Sequence, residues 1–93
     1  MKFSQFSEIL SNLSLVSRVR FKNPDGWTIF SVIRSFDGWI LIDQTGYINF
    51  RFTRFTPAVN TKEDAIDLYF SDGKTENYIG AIVLRDVEEV DSI

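Results

Sequence analysis

SRVRFKNPDGWTIFSVIRSFDGWILID, residues 17–43, is the stretch whose reading decides the fold. Its first six residues alternate, with Val19 and Phe21 on one side and Arg18, Arg20 and Lys22 on the other. That is the period-two pattern of a half-buried strand. Asn23-Pro24-Asp25-Gly26 is a turn signal, because proline presets the first turning residue and Asn, Asp and Gly tolerate the others. Residues 27–36, WTIFSVIRSF, are a β-branched and aromatic run. Asp37-Gly38 is a second tight turn of the kind hairpins favour. Residues 39–43, WILID, are apolar on both faces, as in a central or interfacial strand. Strands joined by such short turns must be antiparallel, since parallel neighbours need long crossovers.

Towards the N-terminus, FSQFSEILSNL (3–13) places Phe3, Phe6, Leu10 and Leu13 at helical spacing with polar residues between. The pattern predicts a short amphipathic helix over one end of the sheet. Towards the C-terminus, YINFRFTRF (47–55) reads as a strand with Ile48, Phe50 and Phe52 on one face. PAVNTKED (57–64) is a loop, IDLYFS (66–71) a strand and SDGK (71–74) a hairpin turn. ENYIGAIVLR (76–85) is a long strand, and Val87, Val90 and Ile93 suggest a last short one. The expected fold is mainly β: an N-terminal helix, then a small, strongly bent antiparallel β-barrel.

Ninety-three residues make one domain. Nine Phe, three Tyr and two Trp supply enough large groups for a core. No apolar run is long enough for a transmembrane helix. With no Cys and no His, the sequence lacks thiol and imidazole nucleophiles, bases and metal ligands. No catalytic constellation, metal-ligand spacing or cofactor motif stands out, so no enzyme, metal or cofactor is expected. Absence of Cys fits a cytoplasmic protein. The net charge of −3 is unevenly spread. Residues 1–57 hold seven basic and four acidic groups, a net of +3, and residues 58–93 hold three and nine, a net of −6. A local basic surface from the first half is open to the chain, a general nucleic-acid-binding charge is not.

Two blocks resemble the Sm-like superfamily, which includes the LSm proteins and Hfq. The first Sm motif is matched by Val19, Phe21, Lys22, Gly26, Ile29, Ser31, Ile33, Phe36 and Asp37, with Ser31 where the family has a mid-strand Gly. SFDGWILI (35–42) is similar to the corresponding stretch of Hfq. The second motif is matched by Gly80, Ile82, Leu84 and Arg85, with Asp86 where the family has Gly. The chain then divides into a helix (3–13), a first block (17–43), an inserted β-hairpin extension (44–76) and a second block (77–93). The resemblance implies a homo-oligomeric ring of about five to eight protomers closed by edge-to-edge strand pairing. Tyr78, Ile79, Ile82 and Leu84 would lie at that interface. It also implies single-stranded RNA bound at the pore: Trp39 stacking on a base, Asp37 and Gly38 shaping the loop, and Arg85 beside the base. Leu41 stands where LSm proteins carry a base-reading Asn.

Independently of the resemblance, Tyr47, Arg51 and Arg54 interleave an aromatic with two cations, a secondary surface suited to stacking and phosphate neutralisation. The alternative reading is a small β-barrel for protein interaction or assembly, with no nucleic-acid function. The acidic balance and Asp86 favour it.

Overall fold

The computed structural model describes residues 1–24, 27–59 and 64–92, so Gly26 of the first motif, residues 60–63 of the expected loop and Ile93 of the expected last strand lie outside the described residues. The chain runs α1 (Phe3–Ser11), β1 (Arg18–Lys22), β2 (Thr28–Arg34), β3 (Trp39–Asp43), β4 (Asn49–Phe52), β5 (Arg54–Pro57), β6 (Ala65–Ser71), β7 (Glu76–Val83) and β8 (Glu88–Ser92). All strand pairs are antiparallel. The mainly β class with a short N-terminal helix stands.

The strands form two sheets. Sheet A has the order β4-β3-β2-β1-β8 and sheet B the order β5-β6-β7. The strand expected over 47–55 breaks at Thr53, and the chain passes there from one sheet to the other. The Thr53 N–H donates to the Tyr69 carbonyl, and the Thr53 hydroxyl accepts from the Ser71 N–H, so the corner is pinned to β6. The combined order β8-β1-β2-β3-β4/β5-β6-β7 is an open meander. No closed barrel forms through hydrogen bonding among the described residues.

Side chains from both sheets and the helix fill one core. Phe6, Leu10, Val19, Phe21, Val32, Ile66 and Leu84 are fully buried, and Phe52 is nearly so. Val19 and Phe21 point inward from β1 as the alternation requires. In α1, Phe6 and Leu10 are buried, with Phe3, Ile9 and Leu13 packed beside them. The helix stops at Ser11, two residues short of the expected end, where Asn12 takes over as C-cap.

The segment read as an added extension is part of the body of the fold. Phe52, Ile66 and Leu68 belong to the core. Exposure falls along β4: Phe50 is exposed and Phe52 buried, and Ile48, just before the strand, is exposed. The last strand is also divided. After β7 the chain turns through Leu84–Val87, where the Val87 N–H donates to the Leu84 carbonyl, and β8 then pairs with β1.

Candidate functional site

The residues that the family resemblance joins into one pore site do not come together. Trp39 opens β3 between Arg34 of β2 and Phe52 of β4, its cross-strand partners on either side. The Arg34 guanidinium lies over the indole, 4.3 Å from its centroid, and the Phe52 ring is stacked at 5.5 Å. The indole Nε1–H donates to the Leu10 carbonyl at 3.0 Å. Trp39 is therefore sandwiched and tied to the C-terminal turn of α1. It offers no open face to a base.

Arg85 lies beyond the other end of that helix. The N-terminal ammonium of Met1 donates to the Leu84 carbonyl at 2.8 Å, while Leu10 holds Trp39. Nine helical residues rise roughly 13 Å, so Trp39 and Arg85 are separated by the length of α1. Asp86 adopts φ +61°, the left-handed conformation that the family's Gly supplies without strain.

Asp37 and Gly38 do shape the β2–β3 turn, for structural reasons. The Asp37 carboxylate accepts from the Ser35 hydroxyl and from Arg51 Nη2, at 3.0 Å to the nearer oxygen. Partial desolvation pushes this carboxyl up, but the hydrogen bond and charge of Arg51 outweigh it and hold it below the ordinary value. Gly38 is buried against the sheet corner. A Cβ there would run into the Phe52 carbonyl oxygen and lie 2.9 Å from the Thr53 Cα.

The secondary basic surface is not continuous. Arg51 lies over Phe70 and Arg54 over Tyr69, which are neighbours in β6 and so point to opposite faces. Arg54 is forked onto Glu76 through Nε at 3.0 Å and Nη2 at 2.5 Å. That contact lowers the Glu76 carboxyl and raises the guanidinium. Tyr47 is 90% exposed in the turn before β4. Nor does β1 supply a bare basic face. It pairs with acidic β8, with Arg20 opposite Asp91 and Lys22 opposite Glu88. The Lys22–Glu88 ion pair measures 3.8 Å.

The interface candidates fare differently. Leu84 leaves the set, because it is fully buried beyond the end of β7. Ile79 and Ile82 are half-buried and pack against the core. Tyr78 and Val83 are exposed, at 58% and 49%. β7 pairs only with β6 among the described residues, and β8 only with β1, so one edge of each strand is open. β7 bulges opposite Leu68 and Tyr69, where Gly80 takes φ +153°, a value L side chains rarely adopt.

Behind β7, the outer face of sheet B is a hollow of 430 Å³ whose lining includes Asp67, Tyr69, Tyr78 and Val83. Asp67 belongs to no motif and carries no charge pattern that sets it apart from the other acids of the second half. The signal for it is the alternation in AIDLYFS, which puts Asp67 and Tyr69 on one face. Among the described residues no group of His, Cys, Asp or Glu is arranged to hold a metal ion. Among the same residues no helix is long and apolar enough to cross a membrane. Comparison with protein-family models, curated proteins and solved structures returned no match.

Proposed function

We propose that this chain is a non-catalytic protein-interaction module that accepts an extended segment as an added strand along β7. The observation that carries the reading is the open β7 edge. It is eight residues long, uncharged from Asn77 to Val83, and bears the exposed Tyr78 and Val83. A long, uncharged edge invites pairing with another chain, and soluble proteins blunt such edges unless they use them. Strand addition draws its affinity from main-chain hydrogen bonds and its selectivity from the flanking side chains. A homo-oligomeric ring is the form of this reading in which the next copy's β8 fills the edge.

Binding of single-stranded RNA at the pore finds less support, since Trp39 is enclosed, Arg51 and Arg54 are ion-paired, and Trp39 and Arg85 sit at opposite ends of α1. The test is amide exchange of the full chain with and without a short, uncharged, strand-forming peptide. Protection gained along β7 and abolished by Val83→Lys is expected. An unprotected β7, together with tight binding of a labelled oligonucleotide at low salt, would overturn the reading in favour of RNA.

A further inference from the structure

The outer face of sheet B has a chemical character of its own. Cross-strand pairing sets Tyr69 beside Tyr78, Asp67 beside Ala81, and Ala65 beside Val83. The tyrosine rings meet edge to face at 5.7 Å. Among the described residues Asp67 is the single charged one lining the hollow, and its carboxylate has no hydrogen bond or ion pair with any of them. Arg54 reaches this face over Tyr69 but spends its charge on Glu76. Between Asp67 and the open edge stands only Ala81, whose methyl leaves the path clear.

We infer that the occupant of the β7 edge is a basic extended segment of another protein, with a lysine or arginine that crosses Ala81 to pair with Asp67 against the Tyr78 ring. The inference rests on the reading of β7 as a strand-accepting edge. Charge chooses the occupant. A carboxylate beside two tyrosines attracts a cation through both its charge and the ring faces. The aliphatic stem of such a residue finds the apolar side of the hollow at Val59 and Val83. A second copy is a poor fit, because neither of its open edges supplies a cation: β7 is uncharged from Asn77 to Val83, and β8, EEVDS, carries only acidic charges. Those carboxylates would be brought towards Asp67 and Glu76, and like charges set opposite one another in a sheet repel.

The experiment uses the full chain and three labelled peptides of alternating Thr and Val that differ only at a central Lys, Gln or Glu. Fluorescence anisotropy is read at low and high salt. The Lys peptide is expected to bind about tenfold more tightly than the Gln peptide, combining an ion pair with a cation–π contact. The Glu peptide should bind most weakly. Asp67→Asn, nearly isosteric and on the surface, should remove the Lys advantage and leave Gln binding unchanged. Ala81→Leu should remove it by blocking the path. Equal binding of all three peptides would overturn the inference and leave the strand-accepting edge standing. A wild-type chain that forms a closed oligomer through β7 and β8 would do the same. Binding of none would remove the edge reading and the inference together.

Discussion

A side chain on Gly38 has nowhere to go. The Phe52 carbonyl and the Thr53 Cα beneath it are backbone atoms of the corner that joins the two sheets, so they yield only if the corner moves. Gly38→Ala should therefore destabilise the protein by roughly 2–3 kcal/mol, the upper part of the range for an overpacked site. Urea unfolding with an unchanged slope would register it, and a loss below about 0.5 kcal/mol would contradict the geometry. Two other residues carry strain of a different kind. Val16 and Asp86 sit at φ +60° and +61°. A left-handed conformation costs an L-residue about 1–2 kcal/mol, most for a β-branched side chain and least for Asp or Asn. Glycine relieves that strain at a conformational-entropy cost of about 0.5–1 kcal/mol. Val16→Gly should accordingly raise stability by about 0.5–1 kcal/mol, and Asp86→Gly by less. Val16 is exposed and the Val16 N–H to Arg34 carbonyl hydrogen bond survives the change, so packing does not confuse the comparison. The reverse order in thermal unfolding would mean the strain is not where the dihedral angles place it.

Among the elements, α1 depends most on its surroundings. Nine residues make an isolated helix marginal in water, so its stability comes from docking. Phe6 and Leu10 supply the buried face, Met1 anchors one end on the Leu84 carbonyl, and Trp39 holds the other through Leu10. Trp39→Ala should therefore cost about 3–5 kcal/mol, as expected for removing a large packed aromatic. Trp39→Phe should cost only about 1 kcal/mol beyond any change in packing, since the Leu10 carbonyl keeps the Leu13 N–H as a donor. Were Trp39 a free stacking surface instead, truncation would leave the melting temperature unchanged. Its enclosure follows from a one-residue difference in the turn: with Asp37-Gly38 as the turning pair Phe36 would face Trp39, whereas the turn is centred on Phe36 and Asp37 and sets Arg34 opposite the indole. The corner at Thr53 is not legible, because the alternation in 47–55 reads as one strand; only the packing of both Phe52 and Phe55 on Trp39, three apart and on opposite faces of a straight strand, exposes the bend. The lack of charge along β7 is readable directly. The SDGK turn already sets β7 beside β6, but the sequence does not reveal that the chain after Leu84 leaves β7 to pair with β1, and hence that the β7 edge stays open. That depends on pairings between distant segments, which local patterns do not encode.

At the scale of the whole molecule, the fold partly cancels the charge imbalance of the sequence. Pairing β1 with β8 sets the basic first half against the acidic tail, and the remaining carboxylates divide between turns and the surroundings of β7. Several of those in turns and ion pairs hold their protons less tightly than usual. Asp43 is lowered chiefly by the Thr45 hydroxyl and Asp72 by the Thr75 and Lys74 backbone N–H groups. Glu76 is lowered by Arg54, and Asp37, against some desolvation, by Arg51. A carboxyl whose folded pKa lies below its unfolded one binds fewer protons in the native state. Its contribution is complete above the unfolded pKa and is lost as pH falls through the folded one. The ordinary values here are 4.5 for Glu76 and 3.8 for the three Asp. With no His in the chain, no side chain of ordinary pKa changes charge between about pH 5.5 and 7. The melting temperature should therefore be flat across that interval and should start to fall near pH 4.5. It should drop more steeply below 3.8, as the turn after β3, the β6–β7 hairpin and the β2–β3 turn lose their acceptors. Asp43→Asn and Asp72→Asn should each lower the plateau and flatten the acid limb, because the group whose protonation steepens it is gone. High salt should soften the Arg51–Asp37 and Arg54–Glu76 parts of the limb and leave the backbone-capping parts in place, since exposed ion pairs are screened while short hydrogen bonds are not. Differential scanning calorimetry from about pH 2.5 to 7.5 at two salt concentrations measures each of these. A midpoint that moves between about pH 5.5 and 7, or an acid limb unchanged in both Asn variants, would show that other groups carry the acid sensitivity.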